Sequence, residues 1–253
     1  MKNGQKTLVS IFVLFLLWIL LSTLMQNDLI MPTPWDTLKA LGGLFMTSKG
    51  LSAIAMTLFR LTISLSVATL LGLTLGVLTG LKPRLKAFFS PLVSVLRTVP
   101  VISIVVIMLM IFGFTLTPYL ITFLMIFPII YQGISDALAS LDEELIDVYR
   151  LENDDWIDGL KYCYLPLIQT SIKTALLQSA GLGIKVLVMA EYLAQTKTSM
   201  GNELYLAKVN LDYASVFAWT LLLIGLAMVI EWLIRDRTQA FKTKIQKNRY
   251  SRE

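Results

Sequence analysis

Histidine is absent from this 253-residue sequence, and cysteine occurs once, at Cys163. The first absence excludes His-based metal sites and His-based acid–base relays, and the second excludes internal disulfides. Charge is scarce as well: Asp, Glu, Lys and Arg make up 15% of the residues, against 56% that are hydrophobic. At a mean hydropathy of +0.70 there is too little polar surface to clothe a water-soluble domain, so most of the chain belongs in lipid. The formal net charge of +5 does not point to nucleic acid. The basic residues gather at the ends of apolar runs and at the C-terminus, which is the pattern of membrane topology. The sequence has no G-x-x-x-x-G-K-[ST] loop, so it does not cradle nucleotide phosphates in that way.

The apolar runs predict an all-α, polytopic membrane protein with about six transmembrane helices. The first run, Leu8 to Met25, follows Lys2 and Lys6 and lacks an Ala-x-Ala-like cleavage site, so we read it as a retained helix rather than a signal peptide. Pro32, Pro34, Gly42, Gly43 and Gly50 then break any continuous span, leaving a loop with a short interfacial helix near Trp35 to Met46. Further spans are expected at Thr57 to Gly80, Ser90 to Phe112, from Pro118 to near Gly133, Leu167 to Leu193 and Ala214 to Ile234, with a loop from Leu193 to Tyr213. The whole chain, 1–253, reads as a single transmembrane domain whose basic tail, 235–253, lies outside lipid. Placing both termini, the Lys82 to Lys86 loop and the acidic segment on one side gathers roughly fourteen Lys and Arg there, against about four on the other, so that side is the cytoplasm.

Between Ser135 and Leu165 the composition turns acidic, with Asp142, Glu143, Glu144, Asp147, Glu152, Asp154 and Asp155 among others. Leu138, Leu141, Leu145, Val148 and Leu151 recur at three- and four-residue steps, which predicts a helix with one apolar stripe on the cytoplasmic face, suited to docking into another protein or to packing on its own subunit. Gly72, Gly76 and Gly80 form a stripe of the kind that lets helix backbones approach closely, within one subunit or across a dimer. Charges within spans are costly and mark functional hypotheses. Arg60, Arg97 and Lys173 lie near helix ends, where side chains snorkel, whereas Lys185 and Glu191 are deeper. Those two are about 240° apart around their helix and do not pair within it, so each needs a partner elsewhere or a wet path.

Several segments in order resemble permeases of ATP-binding-cassette importers, in particular the nitrate/sulfonate/taurine branch, from about residue 31 to 234. Laid back from Leu165-Pro166, the cytoplasmic Glu-Ala-Ala pattern falls on Asp147-Val148-Tyr149, with Arg150, Leu151 and Glu152 following, Asn153 at its glycine and Trp156 just beyond. Arg97-Thr98-Val99-Pro100 resembles the Arg-x-x-Pro near the start of helix three, and Phe112-Gly113 its end. Ala190-Glu191 and Met200-Gly201 resemble the Ala-Glu pair late in helix five and the Gly-rich loop after it. The chain departs from the pattern at Asn153, Tyr149 and Val106, the last standing where many relatives have a second proline. The resemblance implies a permease in the bacterial cytoplasmic (inner) membrane, coupled mechanically through Asp147 to Trp156 to a separate ATPase. Its implied partners are a second permease copy, two ATP-binding subunits and an extracytoplasmic substrate-binding protein or lipoprotein. ATP and Mg would belong to the ATPase, with no cofactor, metal or catalytic residue on this chain, and Arg97, Pro100, Lys185 and Glu191 become pathway candidates. A secondary carrier or channel, and a membrane-embedded enzyme, are the competing readings. The transported solute, a small anion or a vitamin precursor, is left open.

This topology has a direct test. In a Cys163→Ser background, single cysteines at Lys39 and Asn202 should label only from outside the cell, and those at Glu144 and Lys244 only from inside. Labelling of position 144 from outside would reverse the orientation.

Overall fold

A computed structural model describes residues 3–25, 31–142 and 156–250. They form α1 (Asn3–Met25), α2 (Pro34–Met46), α3 (Ser48–Leu81), α4 (Pro83–Thr98), α5 (Val101–Ala139), α6 (Leu165–Ala194), α7 (Met200–Val209) and α8 (Tyr213–Tyr250). A helical turn at Trp156–Asp158 and a π-helical segment, Gly159–Tyr164, lead into α6. Among the described residues, Ser48–Leu81, Val101–Ala139, Gly159–Ala194 and Tyr213–Ile234 are long and apolar enough to cross a bilayer, and Phe12–Met25 is a shorter apolar stretch.

The longest of these segments is not one rod. The Arg97 guanidinium donates to Gln132 Oε1, although a straight helix from 101 to 132 would carry its ends about 46 Å apart. The four residues from Arg97 to Val101 bridge no more than about 14 Å. The chain therefore folds back within α5, at Gly113, whose φ of 69° lies in the left-handed region open to glycine. Ile104 and Val105 of the first arm share a buried cluster with Ile121 of the second and with Val186 and Ala190 of α6. The expected count of six crossings thus rests on α1 and on these two arms.

Three expectations need correcting. Gly50 does not break the span: it sits buried in the first turn of α3, where an added Cβ would fall 2.1 Å from the Leu44 carbonyl oxygen. The helix begins at Ser48 because the Thr47 hydroxyl accepts from the Gly50 amide. The expected third span, Ser90 to Phe112, is divided, since Val99, preceding Pro100, is held extended at φ −69° and ψ 132° and ends α4. The loop after α6 contains the helix α7, capped by Ser199. The expected sixth span falls on Tyr213–Ile234, and its helix α8 runs on through the basic tail to Tyr250.

The most extensive helix contact joins α3 to α5. Gly72, Gly76 and Gly80 form its seam: Cβ atoms on them would meet Ile130 at 2.7 Å, Ile134 at 3.0 Å and Leu138 at 2.7 Å. Thr79 closes the seam by donating to Ser135 Oγ at 3.0 Å. Ile126, Ile130 and Ile134 are fully buried there, so the glycines bring two backbones together without a cavity. Leucine at position 76 has no space to occupy, and Gly76→Leu should destabilise the protein by about 1–3 kcal/mol or prevent its assembly. Gly42, which has nothing within 4 Å of an added Cβ, serves as the control. Gly42→Ala should leave stability unchanged or raise it by up to about 1 kcal/mol, and equal thermal midpoints in detergent for the two variants would contradict the seam.

Candidate functional site

Near the end of α6 a charged cluster is closed off from solvent. Glu191 is 0% and Arg60 3% exposed, and Arg60 Nη1 lies 2.9 Å from Glu191 Oε1. Arg60 and Thr57, one turn apart on the inward face of α3, reach the same carboxylate. The Thr57 hydroxyl lies 3.1 and 2.9 Å from its two oxygens. The Gly201 amide donates to Glu191 Oε2 at 3.3 Å, and the Met200 amide to Thr57 Oγ1 at 3.0 Å. The free N–H groups that open α7 are thereby satisfied by an anion and its hydroxyl partner.

The guanidinium reaches beyond the carboxylate. It donates to the Thr198 and Lys197 carbonyls at 3.1 and 3.2 Å, fixing a short loop in which Gln195 and Thr198 take positive φ angles of 48° and 52°. Thr196 ties that loop to the α5 reversal, its hydroxyl donating to the Phe114 carbonyl at 2.8 Å. Gly201 is required by contact, because a Cβ there would fall 2.5 Å from Glu191 Cβ, from the Tyr192 nitrogen and from the Val188 carbonyl oxygen. One ion pair therefore joins α3, α5, α6 and α7. Nothing in it resembles an activated nucleophile; its chemistry is positional.

The residues singled out from sequence fall in separate places. Ala190-Glu191 and Met200-Gly201 meet inside the cluster. Arg60, expected to snorkel, is instead buried and paired. Arg97 lies in the last turn of α4 against Gln132, Lys86 of α4 pairs with Asp136 of α5 at 2.8 Å, and Pro100 is the N-cap of α5. Lys185 is exposed, about a third of the way round α6 from Glu191. Asp147, Val148, Tyr149, Arg150, Leu151, Glu152 and Asn153 lie outside the described residues, and Trp156 opens the helical turn before α6. Sequence reasoning missed Thr57 as a site residue and Arg60 as the partner of Glu191. The signal available was their i, i+3 spacing, which sets both polar groups on one side of an otherwise apolar helix.

The chain is similar to other proteins over much of its length. Residues 68–236 match the family described as the binding-protein-dependent transport system inner membrane component. A Bacillus subtilis protein named as an aliphatic sulfonates transport permease, SsuC, is 23% identical over 168 residues, covering 66% of this chain and 61% of its own length. The match thus spans less than two thirds of that relative. The taurine transport system permease protein TauC of Escherichia coli is 27% identical over 192 residues, covering 73% of this chain and 70% of its own.

Removing one partner of a buried ion pair strands the other, at a penalty of about 3–5 kcal/mol. Arg60→Met and Glu191→Met should each destabilise by that order, while the double variant should fall well short of their sum. Thermal unfolding of the three variants in detergent tests this, and strict additivity would contradict the pairing.

Proposed function

Because this chain belongs to the family of binding-protein-dependent transport system inner membrane components, we propose that it is the permease subunit of an ATP-driven importer. The observation that carries the reading is the reach of the family match, which runs from within α3 to the end of the apolar part of α8 and includes Glu191, Gly201 and the acidic segment, though not Thr57 and Arg60. On this reading two permease copies form the translocation path, two ATP-binding subunits dock on the cytoplasmic face, and an extracytoplasmic binding protein delivers the solute. Both termini are cytoplasmic, and the acidic segment from Asp147 to Trp156 is the lever that the ATPases move. The names of the two similar proteins favour a small sulfonated solute as the substrate class.

Within such a cycle the cluster has a mechanical role. α3, α6 and the start of α7 are bonded through Glu191 and Arg60, so they shift as one body at the outer end of the path. The first arm of α5 stands outside that body, with the Phe114 carbonyl just past its far end held by Thr196. Pro100 and Gly113 bound it, and Ile102, Val106, Ile107 and Met110 along it are exposed. A rigid group beside an arm with a hinge at each end is an arrangement by which movement at the cytoplasmic side opens one end of a path and closes the other.

Two measurements test the proposal. Arg150→Glu combined with Leu151→Asp should abolish uptake and release the ATP-binding subunit while the membrane helices stay folded; normal uptake in that variant would defeat the lever. Cells expressing the chain with its ATPase and binding protein should accumulate labelled taurine or a short alkanesulfonate, and uptake of a vitamin precursor in its place would overturn the substrate class.

A further inference from the structure

One face of α6 is left uncovered by the other described residues. Thr170, Thr174, Gln178, Leu182, Lys185 and Met189 are exposed along it at steps of three and four residues, so they form a continuous stripe. The Thr174 hydroxyl donates to the Thr170 carbonyl at 2.9 Å within the helix, but an amide and an ammonium in such a row do not suit hydrocarbon. Lys185 is nine residues inside the end of α6, or roughly 13 Å below it, which is well within the apolar layer.

A carboxylate lies beside the same stripe. Glu231 of α8 borders an open groove of about 640 Å³ with Gln178, Met228 and Trp232. Its Oε1 would be only 2.9 Å from a Cβ placed on Gly181, so the absence of a side chain there lets the carboxylate lie against the α6 backbone. A second groove of about 260 Å³ continues along the two helices past Lys185, Thr220 and Ile224. Lys185 and Glu231 are both exposed, and neither appears in an ion pair of the described residues. Glu191, the other carboxylate on α6, is taken by Arg60.

We infer that this face is where a second copy of the chain packs, with Lys185 of each copy paired to Glu231 of the other. The inference rests on the permease reading for its membrane setting and adds the face and the residues. α6 and α8 are antiparallel: Gly181 abuts Glu231, Ile184 clusters with Ala227, and Val188 with Trp219. Lys185 is therefore about one turn, roughly 6 Å, farther along α6 than the level of Glu231. A two-fold axis along the membrane normal preserves depth, and the long lysine side chain spans that offset. Under such an axis any contact of residue i with residue j is repeated as j with i. One ammonium and one carboxylate per chain then give two ion pairs per dimer and leave neither charge in lipid. The same apposition covers Thr170, Thr174 and Gln178, which an ion pair made within one chain would leave facing hydrocarbon.

The test uses the full-length chain in a Cys163→Ser background, co-expressed in membranes with its ATP-binding subunit, in two differently tagged copies. Lys185→Glu and Glu231→Lys should each reduce recovery of one tagged copy with the other at least tenfold, and the exchanged variant Lys185→Glu/Glu231→Lys should restore it. Cysteines replacing Leu182 or Met189 should form disulfide-linked dimers on oxidation. Three results would overturn the inference: copies that stay together in both single variants, an exchange that restores thermal stability without changing recovery between copies, or cysteines at 182 and 189 that react with a hydrophilic thiol reagent and never cross-link. The first two leave the pair within one chain or absent, and the third makes the face the wall of a water-filled path. Recovery of the ATP-binding subunit with the unmodified chain is scored separately. Its absence beside intact cross-linking would count against the permease reading and leave the dimer face standing.

Discussion

An ion pair sealed from water near the end of a membrane helix fixes the placement of α3, α6 and α7 together. A carboxylate and a guanidinium with almost no exposure persist only when most of their remaining hydrogen-bonding capacity is also met, because the desolvation of each is large. Here Thr57, Gly201 and two loop carbonyls supply those bonds, and Arg60 Nε alone of the guanidinium nitrogens is buried without one. The consequence is geometric. α3 is held in depth and rotation by its Thr57–Arg60 face, and α7 is drawn against α6 until only a glycine fits at position 201. With that rotation set, Gly72, Gly76 and Gly80 turn toward the second arm of α5, so the ion pair and the glycine seam are two ends of one constraint on α3.

Glycine serves three purposes along this chain, and only one is flexibility. At positions 72, 76 and 80 it permits backbone approach; at Gly50 and Gly201 it makes room for a carbonyl or a neighbouring helix. Gly113 alone adopts a backbone conformation that other residues rarely take. Substitution at these sites acts through different physics, through overpacking in the first two groups and through dihedral strain in the last.

Much of the fold was legible in the sequence because lipid leaves few options. Long apolar runs must become helices, and their periodicity separates the buried Glu191 from the exposed Lys185 by rotation alone. What was not legible depended on neighbours. A small residue in a helix junction reads the same whether it breaks the helix or receives another, so Gly50 was read as a break. The Val99-Pro100 step was hidden inside a continuous apolar run. The helix α7 is short and polar, with a capping serine as its main local signal. The partner of Glu191 lies on a helix three spans away, and only the assembled structure brings it near; by sequence position Arg60 is simply a charge near a helix end.

The chain separation within that ion pair bears on how the protein is made. Arg60 and Glu191 are 131 residues apart, so at synthesis rates of about 5–20 residues per second the arginine joins the growing chain roughly 7 to 26 seconds before the glutamate does. During that interval α3 carries an unneutralised guanidinium that resists full burial in hydrocarbon. The first arm, the reversal at Gly113 and the second arm must all be laid down before the partner arrives. The final depth of the helix thus depends on a residue in the last third of the chain, and a late, charge-driven settling of an early span is the expected consequence for biogenesis.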